Sequence, residues 1–121
     1  MWAVENLSVR KEAINLAKEI YLITNKNTKL QKDFSLKDQI QRNSISIASN
    51  IAEWNDRWTD TEFLRFLYIA RWSCVELKTQ IIILKEISYI DIETYNQIIN
   101  EIENINKKLN ALIKKIKSDI N

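Results

Sequence analysis

Between Phe63 and Leu84 the apolar residues Phe63, Leu67, Ala70, Cys74, Leu77, Ile81 and Leu84 recur in alternating steps of four and three. That spacing lays all of them on one stripe of an α-helix and makes a coiled-coil-like seam. Strand side chains alternate between faces with period two, so a strand would scatter the set. A second run repeats the pattern through Tyr95, Ile98, Ile102, Ile105, Leu109, Leu112 and Ile116. Ile99 and Ile113 widen this second stripe, which suits a globular bundle better than a two-stranded coil.

The chain of 121 residues contains no glycine and no proline. Average usage would place about eight glycines and about six prolines in such a length. Proline breaks helix interiors, so its absence agrees with an all-helical chain. Missing glycine is unusual even for helices, which use it to terminate. The length suits one domain over 1–121. The hydrophobic fraction of 45% is enough for a small core.

Four helices are expected, over about 6–24, 35–54, 59–87 and 91–118. The first carries Val9, Ala13, Leu16, Ala17, Ile20 and Ile23 at helical spacing. The polar, non-periodic stretch from Asn25 to Asp33 is expected to be a loop. Ser35 is the expected N-cap of the second helix, with Asp38 in its first turn. That helix carries Leu36, Ile40, Ser44, Ile47, Ala48 and Ile51, and its small residues Ser44, Ala48 and Ala52 would permit close helix approach. Trp54 to Trp58 forms the next connection. Thr59 and Glu62 read as a capping box, with Trp58 and Phe63 placed as a hydrophobic staple. Ile87 to Asp91 gives a short turn, with Asp91 capping the last helix. Short connections imply antiparallel neighbours, so the expected fold is an all-α, up-down-up-down four-helix bundle. The third and fourth helices should form a long hairpin.

The chain has no histidine and a single cysteine. Histidine-based triads, the Glu-x-x-His di-iron motif and Cys/His zinc sites are therefore excluded. Without glycine there is no glycine-rich phosphate loop. Nothing in the residues calls for a cofactor, a metal or an enzymatic activity. Glu62 and Glu76 lie about four helical turns apart and cannot share a site within one helix. Glu53 and Glu76, approaching across helices or meeting Arg42 or Arg65, read first as a structural ion-pair network. Asn50, polar within an apolar face, reads as satisfying a neighbour. Cys74 reads as a small buried hydrophobe. Tyr21, Tyr68 and Tyr89 have the chemistry to stack on bases, whereas Tyr95 is better explained as core. The lone thiol, the absence of a signal pattern and apolar runs as short as Ile81 to Leu84, far too short to span a bilayer, suit a soluble cytoplasmic protein with no membrane span.

The formal net charge is +2, which neither demands nor excludes a nucleic-acid partner. Basic residues supply the partner signal. Lys107, Lys108, Lys114, Lys115 and Lys117 fall on outer faces of the last helix, and Arg10, Lys11 and Lys18 lie on the first. Lys26, Lys29 and Lys32 follow in the expected loop. Repeated in an oligomer, these residues would bind phosphates. The competing reading is a solvated helix face that Glu101 and Glu103 partly neutralise.

The stretch from Ser44 to Leu77 adds a resemblance. Leu36-Lys-Asp-Gln-Ile-Gln-Arg42, Ser46-Ile-Ala-Ser-Asn-Ile-Ala-Glu53, Glu62-Phe-Leu-Arg-Phe-Leu-Tyr-Ile-Ala70 and Ser73-Cys-Val-Glu-Leu77 resemble motifs of the bundle proteins encoded within intervening sequences of 23S ribosomal RNA genes. The accessory proteins of diversity-generating retroelements look like relatives. The resemblance implies a four-helix bundle, association into rings that are often pentamers, and no established chemistry. The genomic setting implies a structured RNA partner or, alternatively, a role as adaptor for a reverse transcriptase. Arg42, Asn50, Glu53, Arg65 and Glu76 fall within the matched motifs and read as structural.

The chain also departs from that family. Tryptophan stands at Trp54, Trp58 and Trp72 where the family has glycine, and Ala48 stands where it has proline. If close packing is needed at Trp72, its indole would overpack the site at a cost of about 1–3 kcal/mol. Two explanations stand side by side. Either Trp2, Trp54, Trp58 and Trp72 are glycines in a host that reads UGA as glycine, or the protein is an authentic tryptophan-rich variant with a repacked core.

Overall fold

The computed structural model describes residues 3–53 and 59–120. They form five helices: α1 (Ala3–Lys26), α2 (Thr28–Gln31), α3 (Phe34–Ala52), α4 (Asp60–Glu86) and α5 (Ile92–Ile120). No strand occurs among the described residues. Four long helices and one short one make a helical bundle in which α1 packs on α3, α3 on α4, α4 on α5 and α5 on α1.

The periodic residues are the core. Every member of the α4 seam from Phe63 to Leu84 is buried, as are Ile98, Ile102, Ile105, Leu109, Leu112 and Ile116 of α5. Ile99 and Ile113 are buried too, which accounts for the wider stripe. Val9, Ala13, Leu16, Ala17 and Ile20 supply the α1 side, and Ile40, Ser44, Ile47 and Ile51 the α3 side. Of the small α3 residues, Ser44 is buried and Ala48 half-buried, but Ala52 is exposed and brings no helix closer.

Polar side chains tie the helices together at specific levels. The Ser46 and Ser73 hydroxyls meet at 2.9 Å between α3 and α4, and the Asn43 amide donates to Gln80 at 3.0 Å. Gln41 of α3 donates to the Thr24 hydroxyl of α1 at 2.9 Å. Lys78 of α4 pairs with Glu103 of α5 at 3.0 Å, and Arg71 donates to Asn110 at 3.1 Å.

Two local expectations are corrected. The polar stretch after α1 is not all loop, because Thr28–Gln31 is a turn of helix. Asn27 caps it, its Oδ1 accepting from the Lys29 and Leu30 amides at 3.0 and 2.9 Å. The turn exists to bury Leu30, which is fully enclosed and contributes about 1.5–3 kcal/mol. The α3 N-cap is Asp33 rather than Ser35, its carboxylate accepting from the Leu36 amide. Asp38 instead pairs with Arg42 one turn on, at 2.8 Å.

Other caps agree with the sequence. Thr59 and Glu62 form the reciprocal capping box of α4, with bonds of 3.1 and 2.8 Å. Asp91 accepts from the Thr94 amide at 2.8 Å and opens α5. Those backbone and side-chain bonds from Thr94 hold the Asp91 carboxyl below its ordinary value. The expected staple between Trp58 and Phe63 involves Trp58, which lies outside the described residues, as do Trp2 and Trp54.

Candidate nucleic-acid interface

Helix geometry sets where the lysines of α5 project. Its apolar stripe faces the core, so the opposite side must face out. Residues seven apart share a stripe, which pairs Lys107 with Lys114 and Lys108 with Lys115. Lys107, Lys114, Lys115 and Lys117 are all exposed. From Asn104 to Ser118 there is no acidic residue at all.

The two carboxylates expected to neutralise this face are committed elsewhere. Glu103 turns toward α4 and pairs with Lys78. Glu101 turns toward α1, where it lines a cleft of about 440 Å³ with Lys11, Glu12, Asn15, Asn104 and Ile105. Lys107 and Lys114 therefore keep their charge at the surface.

Lys108 and Lys117 are engaged within the fold. Lys108 is half-buried and pairs with Glu12 of α1 at 2.6 Å, so it fastens α5 to α1. Lys117 sits 5.4 Å from the centre of the Tyr68 ring, which Arg71 also covers at 5.0 Å. On α1, Lys11 and Lys18 are exposed and Arg10 is half-buried. Of these, Lys11 lines the cleft that α1 makes with α5, whereas Lys18 lies beside the cleft between α1 and α3. Lys29 donates to the Ser88 carbonyl at 2.9 Å and belongs to the turn, not to that face.

The motif residues occupy structural or surface positions. Asn50 donates to the Ser46 carbonyl at 2.8 Å and to the Ser46 hydroxyl at 3.2 Å, the neighbour-satisfying role expected of it. Arg42 pairs with Asp38 within its own helix rather than with Glu53 or Glu76. Glu53, at the end of α3, is exposed, as are Arg65 and Glu76. The register network imagined among these groups is replaced by the serine, asparagine and glutamine contacts between α3 and α4.

Cys74 is buried, and burial pushes its thiol up to about 12. A thiol in that state is no nucleophile at neutral pH. Among the described residues no group of three or more His, Cys, Asp or Glu side chains is placed to hold a metal ion. Nor is any helix there long and apolar enough to cross a membrane.

Trp72 is 61% exposed, so the close packing that would make it overpack the core is absent at this site. Val75, one turn on, is also exposed. A second apolar surface lies between α1 and α3, where Ile14, Ala17, Tyr21, Ile45 and Ala48 line a cleft of about 310 Å³ beside Lys18. Sequence reasoning missed that cleft because it arises from two helices whose register is set only in the fold.

An all-helical bundle with a lysine-lined outer side is the class that fold and surface define. The profile of the 23S rRNA-intervening sequence protein family matches residues 5–111, and the chain belongs to that family. Among solved structures it is similar to a protein of unknown function from the S23 ribosomal protein family of Bacteroides thetaiotaomicron. The two are 29% identical over 91% of this chain and 98% of that one, with a TM-score of 0.84. No curated protein matches the chain.

Proposed function

We propose that this protein is a non-enzymatic, oligomeric, antiparallel four-helix bundle that binds structured RNA through its lysine-rich face. One observation carries the RNA reading: an acid-free stretch from Asn104 to Ser118 whose neighbouring carboxylates are turned away to α1 and α4. Membership of a family named for 23S rRNA intervening sequences supports it by analogy.

The antiparallel arrangement is supported by the order of contacts. Along α4 and α5, Arg71 meets Asn110 while Lys78 meets Glu103, so one helix ascends as the other descends. Between α1 and α3, Ile14 and Tyr21 share a cleft with Ile45 and Ala48, and Thr24 meets Gln41 nearer the α3 start. Up-down-up-down connectivity follows, with α2 as an elaboration of the first connection.

Self-association is supported by two unlike apolar surfaces, the Trp72 and Val75 patch and the cleft between α1 and α3. A contact in which one of these surfaces meets the other is head-to-tail, and such contacts close into rings when the rotation allows. The family resemblance implies a pentamer, and a ring would repeat the lysine stripe around its rim.

The same apolar surfaces favour a second reading, an adaptor that holds a protein partner such as a reverse transcriptase. Salt separates the two. Phosphate binding falls steeply with ionic strength, whereas an apolar contact does not. Cytoplasmic location belongs with either role. Fluorescence titration of a structured RNA at two salt concentrations is the test, and salt-insensitive or absent binding contradicts the RNA reading.

A further inference from the structure

The seam between α1 and α5 joins the first and last helices, which no turn connects. Only side chains hold it. At one level Glu12 of α1 accepts from Lys108 at 2.6 Å and from Asn104 at 3.2 Å. Seven residues along each helix, in opposite directions, the same register sets Glu19 against Glu101, their side chains within hydrogen-bonding reach. Here the chemistry changes, because both partners are carboxyls.

The Oε2 atoms of Glu19 and Glu101 are shielded from water and have no hydrogen-bond donor. Two carboxylates cannot satisfy each other, since both are acceptors. A single proton between them resolves the contact, making one a donor to the other.

The surrounding charges do not remove the need for it. On α1, Lys11 and Glu12 line the cleft with Glu101; Lys108 engages Oε1 of Glu12, while its Oε2 is also buried without a partner. On α5 itself, Glu103 points away to Lys78. From α4, the cations that meet α5 are Arg71, Lys78 and Lys85, engaged with Asn110, Glu103 and the Tyr95 ring.

We propose that Glu19 and Glu101 form a proton-operated latch between the first and last helices. One shared proton closes the α1–α5 seam, and its departure to solvent sets two carboxylates against each other and loosens it. Burial first, then the hydrogen bond to Glu19 and its charge, push the Glu101 carboxyl up to about 7 from 4.5. The folded state thus keeps a proton that the unfolded chain has already released. The latch contributes fully below the unfolded value of 4.5 and is lost as pH rises to about 7. That window ends at neutrality, where a small pH change alters the closed fraction. The latch depends on the fold and on no functional reading.

Carbon-detected NMR of the glutamate carboxyls in the unaltered protein tests it directly. Glu101 is expected to titrate near pH 7. Titration of Glu101 in the ordinary carboxylate range overturns the latch. Hydrogen exchange gives a second readout. Between pH 6 and 8, α1 and α5 amides at this level should lose protection in the unaltered protein, once the intrinsic rate increase is removed. Glu101→Gln carries a permanent donor and should hold protection constant. Equal loss in both proteins overturns the proposal. If Glu101→Gln does not fold, the carboxyl titration alone decides.

Discussion

Ser88 carries the only positive φ among the described residues, at 62°. It stands one residue past the α4 C-cap, Ile87. The Tyr89 amide donates to the Leu84 carbonyl at 2.8 Å and the Ser88 amide to Lys85 at 3.0 Å. Those two bonds define a Schellman ending, whose left-handed position glycine usually fills. A residue with a Cβ there costs about 1–2 kcal/mol. Glycine would remove that cost while losing about 0.5–1 kcal/mol more backbone entropy on folding. Ser88 is exposed, so truncating its side chain sacrifices little packing. Ser88→Gly should therefore stabilise the protein by about 0.5–1 kcal/mol, or about 2–4 °C in Tm. Ser88→Val should destabilise it by about 1 kcal/mol or more, because a β-branched residue tolerates this region worst. Calorimetry at fixed protein concentration, which keeps any oligomer comparable, measures both. A less stable Ser88→Gly would refute the argument, because the ending would then depend on the serine side chain rather than tolerate it.

Thr59→Ala should cost about 1 kcal/mol in urea denaturation by removing the cap of α4. Adding Glu62→Ala should cost less than it does alone, since the two caps act reciprocally. Trp72→Gly should destabilise by about 0.5–1 kcal/mol, the helix-interior cost of glycine, because the exposed indole relieves no strain on leaving. A stability gain would instead reveal an overpacked tryptophan. The intact mass of protein from the native host checks the coding question: UGA read as glycine predicts a deficit of four tryptophan-to-glycine differences. A mass equal to that of the written sequence would establish four real tryptophans.

Much of this fold was legible because it depends on spacing. The α4 and α5 seams, their widening at Ile99 and Ile113, the Thr59 capping box and the Asp91 cap all follow from residues close in sequence. What escaped depends on register. The helical turn around Leu30 is too short to show a period, and only the core it covers explains it. Trp72 lies beside the seam in sequence, but two residues from both Ala70 and Cys74 puts it on the opposite side of the helix. The lysine stripe was visible, whereas the turning away of Glu101 and Glu103 was not, since their partners come from other helices. The Glu19–Glu101 contact has the same origin, a coincidence of level between two helices distant in sequence. The cleft between α1 and α3 also needs that level to be known.

The claim that the lysine face binds phosphates is tested most directly by titrating structured RNA across a salt series, with oligomeric mass measured on the same sample. The account predicts binding by an oligomer, with affinity falling steeply and linearly on logarithmic axes. Lys107→Gln with Lys114→Gln should reduce that slope by about two while the fold and mass stay unchanged. Absence of binding at low salt, or a slope that the two substitutions leave untouched, would contradict it.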